Sequence, residues 1–346
     1  MEEKLWKACS KGKVKNVQKL LQNSQININW QKFGLERTPF YIACFKGHIE
    51  IVKLLLNDKR IDINKPNKHY KTPFYIACQK GHLEIVKLLL NDQRVYTNIS
   101  KECDWTPFFR ACKKGRTKIV KLLLNDKRVD VNQPDNEDWT PFYIACYNGH
   151  IEIVKLLLND YRVDISKENK YDGWTPFFAA CREGHAEIVK LLLNDKRVDI
   201  NKANDDDWTP FMIACCYGHV EIVKLLLNVG RININKANND GETPFYVACQ
   251  NGYIEIVKLL LNDKQIDINK ANKYDQTPFY IACYQGHVEI VKLLLNDQRI
   301  DINKANRAGW TPFHVACENG HIEIVKLLLN DERFDVNHRN ISMCDF

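Results

Sequence analysis

Residues Thr140–Leu158 read TPFYIACYNGHIEIVKLLL. This stretch decides the fold because it returns. The threonine of Thr-Pro-Phe falls at 38, 72, 106, 140, 175, 209, 243, 277 and 311, a spacing of 34 apart from one step of 35 into Thr175. A sequence period between roughly 20 and 50 residues marks a solenoid of stacked units, and it outranks any local reading.

Each unit reads in the same order. Thr140 is an N-cap, and Pro141 follows at the first helical position, where its missing N–H costs nothing. A short helix runs to about Asn148, and Gly149 supplies the permissive backbone that ends it. In the second helix, IEIVKLLLND, polar Glu152, Lys155 and Asn159 form one narrow stripe, so the remaining sides are buried. The Glu152/Lys155 pair is an ordinary solvated pair three residues apart. An alternating RVDIS or RVDIN stretch and a polar tip such as KANDDDW then lead back to Thr-Pro, a hairpin-like excursion. One such unit cannot cover its own apolar faces, so neighbours must stack on it.

The pattern TPF-x-x-A-C-x-x-G-H, then I-E-I-V-K-L-L-L, then D-[IV]-N, resembles the ankyrin repeat across essentially the whole chain. The resemblance implies an all-α repeat solenoid of helix-turn-helix units joined by β-hairpin-like loops, curved with a concave groove. Tetratricopeptide repeats share the 34-residue length, but their Trp/Tyr signature inside the first helix is absent and Thr-Pro opens that helix here. The family's usual Thr-Pro-Leu-His has Phe for Leu, and only His314 keeps the His, so the family's Thr–His hydrogen bond is expected at Thr311. The usual glycine after the second helix gives way to Asn-Asp-Lys-Arg, and Asn228-Val229-Gly230 comes nearest to restoring it.

The expected organisation is a capping repeat at 1–37, nine repeats over 38–337 beginning at the threonines above, and a short tail at 338–346. In the first unit Lys7, Asn16 and Lys19 stand where Ile42, Ile51 and Leu54 stand in the next, as a cap requires. The last unit shows no such adaptation. Its Ile322, Ile324, Val325, Leu327, Leu328 and Leu329 are as apolar as any internal helix, which suggests an end that is frayed, partner-covered or cut from a longer array. Self-association through that face is one expectation, with polar substitution of Leu328 and Leu329 as its probe.

Composition narrows the function. The chain of 346 residues is 45% apolar and 27% charged, enough for a large core. The opening MEEKLWKACSKGK lacks a secretory apolar region, and no apolar run reaches membrane-spanning length. Thirteen cysteines then suit a reducing compartment, the cytoplasm or the nucleus. Net charge is +7, with +5 in residues 1–37 and +5 in 101–130; the remainder is about neutral to slightly acidic, unlike a uniformly basic nucleic-acid binder.

The Cys146/His150 spacing invites a chemical reading, either a thiol with its base or a pair of metal ligands. It recurs at Cys44/His48, Cys78/His82, Cys181/His185, Cys215/His219, Cys283/His287 and Cys317/His321. Arg116 and Tyr253 replace the His while every unit, Cys9 included, keeps the Cys. Equivalent cysteines on stacked helices lie about 8–10 Å apart, too far for one zinc ion or a disulfide. The cysteine is therefore expected to be a small buried hydrophobe, leaving Cys103, Cys216 and Cys344 outside the ladder as the more reactive thiols. No phosphate-loop, dinucleotide, zinc-protease or serine-elbow motif occurs, so no catalytic residue, cofactor or metal is expected.

Variation within the repeat is more informative. The residues before each threonine are Arg37, Lys71, Trp105, Trp139, Trp174, Trp208, Glu242, Gln276 and Trp310. The pairs after Ala-Cys include Phe45/Lys46, Gln79/Lys80, Lys113/Lys114, Tyr147/Asn148, Arg182/Glu183 and Cys216/Tyr217. The resemblance implies that these positions line the concave groove. Four successive Trp with Arg110, Tyr147, Arg182 and Tyr217 would form an aromatic and basic strip of the composition that dominates interface hot spots. The alternative is that each Trp merely covers the next turn. The expected function is a non-catalytic scaffold binding a protein or peptide. The competing reading is an acidic or nucleic-acid partner on the third Thr-Pro repeat, through Arg110, Lys113, Lys114, Arg116, Lys118 and Lys121.

Overall fold

The computed structural model describes residues 1–99 and 105–335, and these are α-helical. Two compact units are present, Met1–Tyr171 and Asp172–Phe346. In the first, helices pair as α1 (Glu2–Ser10) with α2 (Val14–Leu21), α3 (Pro39–Lys46) with α4 (Ile49–Leu56), and α5 (Pro73–Lys80) with α6 (Leu83–Leu90). Then follow α7 (Pro107–Lys113) with α8 (Thr117–Leu124), and α9 (Pro141–Tyr147) with α10 (Ile151–Leu158). In the second, α11 (Pro176–Arg182) pairs with α12 (Ala186–Leu193), α13 (Pro210–Cys216) with α14 (Val220–Val229), and α15 (Pro244–Gln250) with α16 (Ile254–Leu261). The last pairs are α17 (Pro278–Gln285) with α18 (Val288–Leu295), and α19 (Pro312–Glu318) with α20 (Ile322–Leu329). Within each unit first helices pack on first helices and second on second. None of these helices is long and apolar enough to cross a membrane.

The caps follow the sequence. Thr140 Oγ1 accepts the backbone N–H of Tyr143 at 3.0 Å, and Thr38, Thr72, Thr209 and Thr277 do the same one repeat after another. At Thr311 the hydroxyl also meets His314 Nδ1 at 2.8 Å, the Thr–His bond expected at that repeat. Below the cap Phe142, Ala145 and Cys146 are at most 1% exposed, with Ala145 giving the neighbouring first helices room to approach.

The alternating RVDIN stretch makes no strand. The described residues contain one isolated bridge, Lys32 with Arg37. Only the tip is hairpin-like, closed by bonds such as Asn204 N–H to the Trp208 carbonyl at 3.0 Å. An asparagine ladder takes the place of strand pairing. Asn132 Nδ2 donates to the Arg162 carbonyl at 2.6 Å, and its Oδ1 accepts the Asp164 N–H at 2.8 Å. Asn64 repeats this on Arg94 and Tyr96, and Asn269 on Arg299 and Asp301. One side-chain amide thus supplies the donor and acceptor that a strand edge would offer.

The Asn-Asp-x-Arg segment that replaces the usual glycine is a clamp. Arg162 bonds Asp160 at 2.6 Å and donates from Nη2 to the Leu124 carbonyl at 2.7 Å, at the C-terminus of the preceding second helix. Arg128 does the same on Leu90 and Arg333 on Leu295. A cation there meets carbonyls that have no partner within the helix, at the negative end of its dipole. Where glycine returns, Gly230 ends α14 with φ 69°, and Arg231 reaches the Leu193 carbonyl only at 3.4 Å.

The arginine two residues on, hydrogen-bonded to each carboxylate, holds Asp58, Asp92, Asp126, Asp160, Asp195, Asp297 and Asp331 below the usual aspartate range. A carboxylate with a depressed folded pKa stabilises fully above its unfolded value near 3.9, and that stability is lost as pH falls through the folded value. Each partly exposed clamp contributes about 0.5 kcal/mol. The urea midpoint followed by circular dichroism should therefore fall between pH 5 and pH 3, and Arg128→Ala should flatten the fall. An acid profile unchanged by that substitution would remove the clamp from the account.

The two ends of the series differ. Lys7, Asn16 and Lys19 are exposed, whereas Ile42 and Ile51 are 2% and 0% exposed. In α20, Ile322 is 67% and Leu329 54% exposed, but Ile324 and Leu328 are fully buried against α19 and α18. This corrects the expectation for Leu328. It points into its own repeat as Leu157 does, so a polar substitution there would damage the core and report nothing about association.

Candidate binding face

The Cys–His spacing dissolves on inspection. His150 opens α10 and turns toward the preceding repeat, where its Nε2 donates to the Lys113 carbonyl at 3.3 Å. His82 donates to Phe45, His219 to Arg182 and His287 to Gln250, each 37 residues back. Each of these rings lies over the preceding repeat's glycine, as His82 does over Gly47 and His150 over Gly115. Arg116 and Tyr253 occupy the same seat over Gly81 and Gly218. The thiols remain inside. Cys146 is fully buried, and burial pushes its pKa far up; Cys9 is pushed up to about 12 by the same cause. No cluster of metal-ligating side chains occurs among the described residues. Cys103 and Cys344 lie outside the described residues, while Cys216 is half-buried and Cys317 exposed.

The variable positions do gather in groups. In the first unit Trp105, half-buried before Thr106, carries the Arg110 guanidinium at 4.7 Å and the Lys113 ammonium at 4.3 Å. Its indole N–H donates to Asp135 Oδ2 of the next tip at 3.2 Å, so this Trp both braces a tip and carries cations. The Trp139 ring packs at a tilt against Tyr143 at 5.3 Å and Tyr147 at 5.6 Å. Asn148 is exposed, but its amide bonds back to the Ile144 carbonyl at 2.8 Å and caps its own helix. In the second unit the Arg182 guanidinium lies 4.7 Å from the Trp174 ring and 5.4 Å from Tyr217, and it is also paired with Glu183 at 2.6 Å. Tyr217 is 46% exposed. Trp208 is half-buried, its backbone N–H held by Asn204 Oδ1, with no ring stack among the described residues.

The basic cluster of the third Thr-Pro repeat does not form one patch. Arg110 and Lys113 belong to α7 and cover Trp105, with exposed Lys114 at its end. Lys118 and Lys121 lie on α8, on the stripe that Glu84 and Lys87 occupy one repeat earlier. Arg116 lies over Gly81. Residues close together in sequence fall on two helices because the Gly115 turn separates them.

A second group forms around Phe45 of α3. Phe45 carries Arg37 at 4.8 Å and Lys80 at 4.6 Å, with Lys46 at 5.7 Å. Its aromatic ring follows the Ala-Cys pair instead of preceding Thr, so a search for Trp before Thr passes over it. The signal was the run of lysines at the ends of α3, α5 and α7. Charge follows the same division: residues 1–171 hold 31 Lys/Arg against 19 Asp/Glu, net +12, and residues 172–346 hold 19 against 24, net −5.

No curated protein matches this sequence. A family model described as Ankyrin repeats (3 copies) matches residues 5–100, 91–169, 108–204, 161–236, 196–272 and 264–340. Those matches overlap from the first helix pair to the last, and the paired helices, threonine caps and glycine breaks recur through them. The chain belongs to the ankyrin repeat family.

Proposed function

We propose that this protein is a non-catalytic adaptor whose recognition face consists of the turn tips and the exposed ends of the first helices. Ankyrin repeats generally serve protein–protein interaction. The supporting observation is that the residues which change from repeat to repeat lie on an unchanging frame of caps, alanines and buried thiols. Trp105 with Arg110 and Lys113, Trp139 with Tyr147, and Trp174 with Arg182 and Tyr217 are held in place before any partner arrives. Rigid aromatic and arginine side chains of this kind carry most of an interface's binding energy. Lys114, Asn148 and Trp208 extend the same positions and contribute less. The buried thiols suit a reducing compartment such as the cytoplasm.

The test is affinity capture of partners by wild type and by Trp139→Ala/Trp174→Ala, with far-UV circular dichroism to check folding. Each hot-spot aromatic contributes about 2 kcal/mol or more, so the double variant should lose the partner at least tenfold. Equal capture by a folded double variant would return both Trp to bracing the turns.

A further inference from the structure

Three lysines of the second helices are neutralised where they stand, while Lys118 and Lys121 of α8 have no acidic residue on their own helix. Lys53 meets Glu50 at 2.8 Å, Lys87 meets Glu84 at 2.7 Å and Lys155 meets Glu152 at 2.7 Å. The cations at the ends of the first helices differ. Arg37, Lys46, Lys80, Arg110 and Lys113 form no ion pair with a carboxylate among the described residues, and they lie over aromatic rings instead. Helices α3, α5 and α7, read PFYIACFK, PFYIACQK and PFFRACK, contain no acidic residue. The tips of the second unit again show internal neutralisation, with Lys236 on Asp207 at 3.0 Å and Arg307 on Asp275 at 3.3 Å.

We infer that the face formed by Arg37 and the first helices α3, α5 and α7 takes an acidic polypeptide segment, whose carboxylates meet Arg37, Lys46, Lys80, Arg110 and Lys113. This rests on the protein-binding reading above and names the chemistry of the partner. The cations are held by rings before binding, so less side-chain freedom is lost when a carboxylate arrives. Lys113 has its ammonium disfavoured by partial burial and then by Arg110 and Lys114, which Asp135 and Glu137 of the next tip offset only in part, and an incoming anion relieves the remaining repulsion.

Ring occupancy decides between polypeptide and nucleic acid. A single-strand binder offers bare aromatic faces for bases to stack on. Here Phe45 and Trp105 each already carry two cations within 5 Å. Register agrees, because stacked helices recur about every 8–10 Å and an extended chain advances about 3.3 Å per residue. One acidic residue in roughly every three therefore meets each repeat.

The probe is a fluorescein-labelled 15-residue peptide, five repeats of Glu-Gly-Ser, with a Gln-Gly-Ser counterpart and a 20-nucleotide oligo-dT, titrated by anisotropy against the full chain. The Glu peptide should bind at least tenfold tighter than the Gln peptide and tighter than oligo-dT. Lys46→Gln/Lys80→Gln/Lys113→Gln should lose tenfold or more. Lys53→Gln/Lys87→Gln/Lys155→Gln, which removes the same charge from the second helices, should change affinity less than threefold. Equal losses in the two triple variants would reduce the effect to overall charge and overturn the assignment. Tighter oligo-dT binding that is lost in the first triple would overturn it in favour of nucleic acid. A Glu peptide that fails to bind, with the Trp139/Trp174 capture result intact, overturns the acidic partner and leaves protein binding standing.

Discussion

Gly47→Ala should destabilise the protein by about 2–3 kcal/mol, more than an alanine for glycine at an ordinary turn. Two costs add. Gly47 has φ 79°, a left-handed conformation that costs a side-chain-bearing residue roughly 1–2 kcal/mol. A Cβ there would also stand 2.7 Å from His82 Cε1 and 2.8 Å from Nδ1. The ring must move, and its 3.1 Å bond to the Phe45 carbonyl goes with it, a loss of about 1 kcal/mol. The clash disappears if the ring is removed first. In a His82→Ala background the same glycine substitution should therefore cost only the conformational part, about 1–2 kcal/mol. Urea denaturation of the four proteins measures the coupling. Equal cost in both backgrounds would show that His82 does not sit over Gly47 in solution.

That pair also explains what the sequence concealed. Cys146 and His150 stand four positions apart, but the histidine's partner is a carbonyl 37 residues back. Local spacing carries chemistry within one helix turn, whereas in a solenoid the equivalent atoms of successive repeats are the true neighbours. The caps were legible because Thr-Pro acts on its own helix. The 34-residue period was legible because it needs no geometry at all. RVDIN was legible as a hairpin-like excursion, but not that Asn132 would satisfy Arg162 and Asp164 through its side chain, so that no strand is needed. Asn-Asp-Lys-Arg was legible as a replacement for the usual glycine, but not its arginine's contact with the preceding helix end, which lies a repeat away. Among the candidate positions the Trp before each threonine was visible as variation, and the Trp105 ring carries Arg110 and Lys113. Lys118 and Lys121 did not join them, because charge counted along the chain ignores the turn between two helices.

The thiols offer the other large effect, and it is kinetic. In a Cys103→Ser/Cys344→Ser background at pH 8, a disulfide reagent should react readily with Cys317 and more slowly with half-buried Cys216, whose thiol is pushed up by burial and then by Glu242. The nine ladder cysteines, from Cys9 through Cys146 to Cys283, should be protected by about 10³-fold or more. The reasoning has two parts. The attacking species is the thiolate, and burial raises the pKa of these groups, so almost none ionises in the folded state. The reagent must also reach a sulfur with no exposed surface, which requires local opening; an opening free energy of about 4 kcal/mol corresponds to ~10³-fold protection. Urea should abolish the protection at all nine together with the helical signal. Cys9 belongs to α1, which has a first-helix neighbour in α3 but none before it among the described residues, and should be the least protected of the ladder. Mass spectrometry of the labelled peptides gives the order. Prompt labelling of Cys146 in the folded protein, at the rate of Cys317, would mean that the thiol beside His150 is accessible after all and would reopen the reading of the pair as a nucleophile and its base.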